Sequence, residues 1–178
     1  MNIIDITNVL DENTPVYPGD PGFEKQIINK NGFAICKLSM SSHAGTHMDA
    51  PSHLAGGNTT IAGIPLEKLI GPCAVCDTLI DIRQAVLGDI RKILYRGEPD
   101  DLSKIARLDI ELLGIENLSV GDREMHKLFL HKNIVVVEGL ALGHVKKGSY
   151  WLAALPLKVN IDGSPVRAVL LETEGGLV

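Results

Sequence analysis

The sequence predicts a single α/β domain, richer in strand than in helix. Three observations predict it. Apolar residues fall in short runs, such as residues 112–115 and 134–137, which suit buried strands. Helical patterns are few and short. The 178 residues, 45% hydrophobic and 22% charged, suffice for one core, and no repeat, low-complexity stretch or linker divides residues 1–178.

Taken in order, residues 2–7 read as a first strand. A Pro/Gly-rich loop over residues 14–22 follows, stiffened by its prolines and suited to carry Tyr17 over a pocket. Residues 23–29 and 33–41 alternate as strands do, with Asn31-Gly32 as a hairpin turn between them. Gly56-Gly57-Asn58 is a turn signal, because no P-loop lysine follows it. Residues 65–70 fit one short helix. Residues 73–79 read as a buried strand, in which Cys73 and Cys76, three apart, face opposite ways and act as core side chains. Residues 77–95 carry mixed signals, with a strand suggested over 90–95. Asp100-Asp101 places acidic residues at the start of a helix reaching Ile105. Asp122 caps a helix over residues 122–131, between the strands at 112–115 and 134–137. Residues 150–159 and 166–172 form a terminal hairpin about the Asp162-Gly163 turn.

The most informative string is His43-Ala44-Gly45-Thr46-His47-Met48-Asp49-Ala50-Pro51-Ser52-His53. It holds three of the six histidines in the chain and an aspartate. Imidazole and carboxylate are ligands for zinc, manganese or iron, and imidazole also titrates near neutral pH. In a straight strand His43 and Asp49 would lie about 20 Å apart, too far for one ion, whose ligands bind at about 2.0–2.2 Å. A helical turn would join His43 to His47 but turn Asp49 away. The chain therefore bends between His43 and His47, where Gly45 permits it. His47 and Asp49 then lie side by side, and Pro51 prevents helix continuation and leaves His53 on a loop nearby. The string reads as a metal centre with its own acid/base group.

This string resembles the signature of the metal-dependent cyclase-type hydrolase family, which includes bacterial kynurenine formamidase and isatin hydrolase. Thr14-Pro15-Val16-Tyr17-Pro18-Gly19-Asp20, Val137-Glu138-Gly139-Leu140 and Gly163-Ser164-Pro165-Val166-Arg167-Ala168 resemble further segments of that family. The resemblance implies a compact β/β/α arrangement around a mixed sheet or barrel. It implies His43, His47 and Asp49 as metal ligands, with Asp49 able to bridge two ions, and His53 as general acid/base. A second ion would take His126 and Glu138, with His131 the competing histidine. Tyr17 stands where relatives place a substrate-contacting tryptophan. Segment 114–119 departs from the family pattern, and segment 81–107 is shorter than in relatives; these departures bear on the substrate more than on the metal.

The expected cofactor is Zn²⁺ or Mn²⁺, as one or two ions. The expected reaction is hydrolysis of a carbon–nitrogen amide bond by metal-activated water. An aryl formamide such as N-formylkynurenine, from tryptophan catabolism, is the expected substrate, and an isatin-like cyclic amide the alternative. A non-catalytic metal-binding relative and a redox use of the same ligands are rival readings. The family implies a homodimer or homotetramer. A net charge of −5 argues against a nucleic-acid partner. The absence of a signal peptide, a long apolar run and a disulfide framework leads to the expectation of a cytoplasmic protein without a membrane partner.

Overall fold

A computed structural model describes residues 1–99 and 101–172, and its strands build a closed barrel. The first strand, β1, is Asn2–Asp5. A hairpin of β2 (Glu24–Lys30) and β3 (Phe33–Ser39) forms a separate two-stranded sheet. Its turn has φ of 52° at Asn31 and 81° at Gly32, the paired left-handed geometry that matches strand twist. Then come β4 (His47–Asp49) and β5 (Ile70–Cys76). Helix α1 (Leu79–Leu87) precedes β6 (Lys92–Tyr95), α2 (Leu102–Ile105) precedes β7 (Leu112–Ile115), and α3 (Arg123–Leu130) precedes β8 (Val135–Glu138). The chain ends on β9 (Gly148–Pro156) and β10 (Gly163–Glu172).

The sheet order is β1-β10-β4-β8-β7-β6-β5-β9, and β9 pairs back onto β10, so seven strands close on themselves with β1 alongside. β10 makes this possible because it is long. Gly163–Pro165 pair with β4, Val166–Leu171 pair with β9, and its last residues also hold β1. The run β5-β6-β7-β8 is parallel, each step crossing through one helix, as parallel pairing requires. These strands are buried on both faces, which is why they read as continuous apolar runs.

Alternation sorts their side chains into two cores. Cys73, Val75, Leu94, Val135 and Val137 pack inside the barrel with Met48 and Leu170. Ala74, Cys76, Ile93, Leu113 and Val136 face outward under Ile82 of α1 and Phe129 of α3. The opposed packing of Cys73 and Cys76 bears out their reading as core cysteines, and burial pushes both thiols up to about 12.

The elements differ from the sequence reading at several points. Residues 77–95 resolve into α1 and β6, and α1 begins at a capping box in which Thr78 and Asp81 exchange hydrogen bonds. Residues 65–70 give only a 3₁₀ turn, Leu66–Lys68, because Ile70 already belongs to β5. Asp100 lies outside the described residues, and Asp101 caps α2. Asp162-Gly163 is no tight turn: β9 ends at Pro156, and Gly163 is itself the first residue of β10. Among the described residues no helix is long and apolar enough to cross a membrane.

Candidate metal centre

The centre is built on the outer face of β4 and β8, beneath α3. β4 is antiparallel to both neighbours, with His47 opposite Glu138 of β8 and Asp49 opposite Gly163 of β10. Side chains two apart share a face. His47 and Asp49 therefore point outward together, while Met48 between them enters the barrel core. The bend before β4 is at Gly45, whose φ is +65°. Gly139, at +67°, ends β8 against it, and a Cβ there would lie 2.7 Å from the Gly45 carbonyl oxygen. Thr46 Oγ1 donates to the Gly139 carbonyl at 2.5 Å, which ties the ends of β4 and β8 together.

The remaining side chains arrive from three directions. His53 ends the 3₁₀ turn Pro51–His53, directly after β4. Asp122 caps α3 by accepting from Met125 N–H, and one turn later His126 is buried facing Asp49. His131 follows the last residue of α3 and is exposed, so the structure brings His126 and not His131 to the centre. His43 precedes the Gly45 bend, with its ring laid against Gly163. A Cβ at position 163 would lie 2.4 Å from His43 Cε1, so no larger residue fits there without moving the ring.

Asp49 is fully buried and divides its two oxygens. Oδ1 lies 2.8 Å from His43 Nδ1 and 3.6 Å from His47 Nε2. Oδ2 lies 3.4 Å from His126 Nε2, yet it accepts no hydrogen bond. Glu138 divides likewise, with Oε2 3.2 Å from His47 Nε2 and Oε1 3.6 Å from His126 Nε2. Val120 N–H donates to Glu138 Oε1 at 2.6 Å and fixes that carboxylate.

Burial disfavours a charged ring at His43, but the carboxylates of Asp49 and Asp162 outweigh it and push its pKa up to about 9. Burial likewise opposes charge on His126, and Asp49 and Glu138 raise it to about 10. His47 is raised by the same balance against Glu138 and Asp49. Burial would raise the Asp49 pKa, yet the surrounding imidazoles hold it well below the usual carboxylate range. Elevated histidines beside a depressed aspartate describe a site whose negative charge calls for a cation.

The residues fit a divalent ion. A buried carboxylate oxygen with no hydrogen-bond donor is costly unless something else satisfies it, and Asp49 Oδ2 is such an atom. The imidazole tautomers are also set. His47 Nδ1 lies 3.0 Å from the Gly45 carbonyl and His126 Nδ1 2.9 Å from the Asp122 carbonyl. Each Nδ1–H thus donates to main chain and leaves Nε2 facing the carboxylates, the arrangement usual behind a histidine that binds a metal. Donor atoms of His43, His47 and Asp49 lie within 4.8 Å of one another, and so do those of Asp49, His53 and His126. Asp49 belongs to both groups.

One participant was not predicted. Asp162, just before β10, has Oδ2 3.0 Å from His43 Nε2 and 3.2 Å from His53 Nδ1. Burial would raise its pKa, but these two contacts bring it down to about 2. In the sequence it passes for a turn residue, 109 positions from His53. Around the centre lies a cavity of about 670 Å³, whose walls include Leu54, Leu118 and Arg123. Tyr17 is at its rim, half-exposed, on the predicted Pro/Gly loop.

A mixed closed barrel with a buried histidine–carboxylate cluster on its outer face suits a metal-dependent enzyme class. The chain belongs to the Cyclase family, whose model matches residues 4–110. It is 32% identical over 202 positions to kynurenine formamidase of Bordetella avium (strain 197N), covering 94% of this chain and 97% of that protein. It is 33% identical over 204 positions to kynurenine formamidase of Geobacillus thermodenitrificans (strain NG80-2), covering 94% and 96%. Both alignments run longer than this chain, so the relatives hold residues that it lacks. Among solved structures, a predicted metal-dependent hydrolase from Bacillus stearothermophilus superposes with a TM-score of 0.77 at 27% identity, covering 95% of this chain and 97% of that one. Isatin hydrolase A from Labrenzia aggregata superposes with a TM-score of 0.76 at 25% identity, covering 97% and 94%.

Proposed function

We propose that this chain is a metal-dependent hydrolase of a non-peptide carbon–nitrogen amide bond, and that its substrate is an aryl formamide such as N-formylkynurenine. The observation that carries this reading is the pairing of a buried donor set with a partly exposed imidazole, His53, held beside it by its own carboxylate. Relatives that match almost end to end and are kynurenine formamidases supply the substrate class.

His43, His47 and Asp49 would hold one ion, Zn²⁺ or Mn²⁺. His126 and Glu138 would hold a second, with Asp49 between them. Such an ion supplies Lewis acidity, which polarises a carbonyl and makes water a nucleophile near neutral pH. The chain's own groups do the rest. Asp162 accepts the Nδ1–H of His53, which leaves Nε2 as the nitrogen that can exchange a proton with the substrate. There it takes the proton of the attacking water and returns it to the departing nitrogen as the C–N bond breaks, leaving an amine and a carboxylate. Tyr17 at the rim contacts the aryl ring, and Leu54 and Leu118 offer it apolar wall. The chain acts on this small molecule as a homodimer or homotetramer in the cytoplasm. Its acidity supports the absence of a nucleic-acid partner.

The test is turnover of N-formylkynurenine by metal-loaded protein, beside a panel of lactams and cyclic imides including isatin. Formamide hydrolysis is expected, lost together with bound metal in His47→Ala and in Asp49→Ala. Preference for cyclic amides would move the substrate to the isatin type. Metal binding with no turnover of any panel member would make the chain a non-catalytic relative. Unchanged metal content in both variants would remove the reading altogether.

A further inference from the structure

The cavity around the centre has acidic walls and one side chain of fixed positive charge. Asp20, Asp49, Asp122, Glu138 and Asp162 line it, and Arg123 is the single lysine or arginine among the described residues that does so. Each carboxylate already has partners of its own. Ser41 Oγ donates to Asp20, Met125 N–H to Asp122 and Val120 N–H to Glu138, while histidines face Asp49 and Asp162. Arg123 is left out of these pairings. Arg91, Arg96 and Arg167 each hold an aspartate, whereas Arg83, Arg107 and Arg123 pair with no carboxylate among the described residues. Of these last three, only Arg123 lines the cavity.

Helix α3 fixes where that charge sits. Arg123 is its first residue and His126 lies three further on, so the two share a face one turn apart. His126 is buried against Asp49, with 3.4 Å between Nε2 and Oδ2. Arg123 is exposed and about 4.5 Å away along the helix axis, which sets its charge at the mouth of the cavity. Nothing adjacent neutralises it. Asp122 is committed to capping the helix, and Glu124 is held by Lys127 at 2.6 Å. A guanidinium presents a planar fork of donors that matches a carboxylate in bidentate geometry. A cavity of about 670 Å³ suits one small molecule. An anionic molecule entering it meets carboxylates on the other charged walls, so its own negative group turns toward Arg123.

We infer that Arg123 selects substrates bearing a carboxylate remote from the scissile amide: it pairs with that carboxylate at the mouth and so aims the amide at the histidine–carboxylate cluster. This rests on the amide-hydrolase reading above and narrows its substrate class. N-formylkynurenine has such a carboxylate in its amino-acid side chain. A formanilide without an acidic group, and isatin itself, have none and leave Arg123 unused.

The test removes the charge from the ligand and then from the protein. Metal-loaded protein is assayed with N-formylkynurenine and with its methyl ester, and binding of the products, kynurenine and kynurenine methyl ester, is measured by calorimetry. Wild type is expected to favour the acid over the ester about 5- to 10-fold in both kcat/KM and Kd, the contribution of a charge-assisted pair screened at an exposed rim. The preference should shrink as salt rises. In Arg123→Gln the acid and the ester are expected to converge, through a higher KM for the acid, with metal content as in wild type. Arg123→Lys keeps the charge without the fork and is expected to fall between. A wild type that treats acid and ester alike or prefers the ester, or an Arg123→Gln variant that keeps the preference, overturns the assignment. Preferential binding of kynurenine through Arg123 without hydrolysis of any amide sinks the catalytic reading alone, whereas hydrolysis of both substrates at equal kcat/KM sinks the Arg123 assignment alone.

Discussion

Asp162→Asn tests whether one carboxylate oxygen organises both imidazoles at the mouth of the centre. Asp162 Oδ2 lies 3.0 Å from His43 Nε2 and 3.2 Å from His53 Nδ1. Asparagine keeps the shape but loses the charge, and its amide group turns two donors toward groups that are themselves donors. A hydrogen bond to a charged partner contributes about 1.5–3 kcal/mol. The Asp162 side chain is 41% exposed, so solvent screening reduces this to about 1 kcal/mol for each bond. Two such bonds give about 2 kcal/mol, roughly 30-fold in an equilibrium or a rate. That lies inside the 10–100-fold cost, about one to two decades, usual for groups supporting a metal ligand. The assays are metal affinity by chelator competition, kcat on the confirmed substrate, and histidine titration of metal-free protein by NMR. Affinity and kcat should both fall, and the His43 pKa should drop below its value of about 9. An asparagine variant matching wild type in all three refutes the reasoning.

Three further predictions follow from the same geometry. His53→Ala should keep metal and fold but lose about 10²–10⁴-fold in turnover, the usual contribution of a positioned acid/base; loss of metal instead would make His53 a ligand in the group it forms with Asp49 and His126. Gly163→Ala places a methyl 2.4 Å from His43 Cε1, so metal affinity should fall while the thermal midpoint changes little, and unchanged affinity would show that the ring can shift without consequence. His43 and His126 have pKa values raised from 6.5 to about 9 and about 10. The metal-free protein should therefore hold the full stabilisation of these pairs below about pH 6.5 and lose it as pH rises through 9 to 10. Calorimetry of chelated protein should show its midpoint falling across that window, and metal uptake at pH 7 should release protons; a flat midpoint and no release would contradict the charge balance described for the centre.

The convergence of the residue 43–53 string was legible because its chemistry is local. Gly45 and Pro51 limit the backbone enough that His43, His47 and Asp49 can converge in few ways. The parallel strands were equally legible, since burial on both faces leaves plain apolar runs at residues 112–115 and 134–137. Asp162 was not, because a residue before glycine is an ordinary turn signal and nothing local reports that β10 passes beside His43. Closure of the barrel was hidden for a related reason: β10 serves β4, β1 and β9 at once, and alternation gives a strand's face but not its neighbours. The β2–β3 hairpin was legible as a hairpin, turn included, but alternation did not report that its strand residues stay exposed, since that depends on which part of the chain reaches them.

Two of the three inner histidines are aimed by main-chain carbonyls, at Gly45 and Asp122, and the third by the Asp162 side chain. A carbonyl is present whatever residue a gene encodes, so mutational drift cannot easily erase the first two settings. The third can be rewritten by a single codon. Heritable tuning of this centre, by natural variation or by a laboratory library, therefore has its shortest path through position 162.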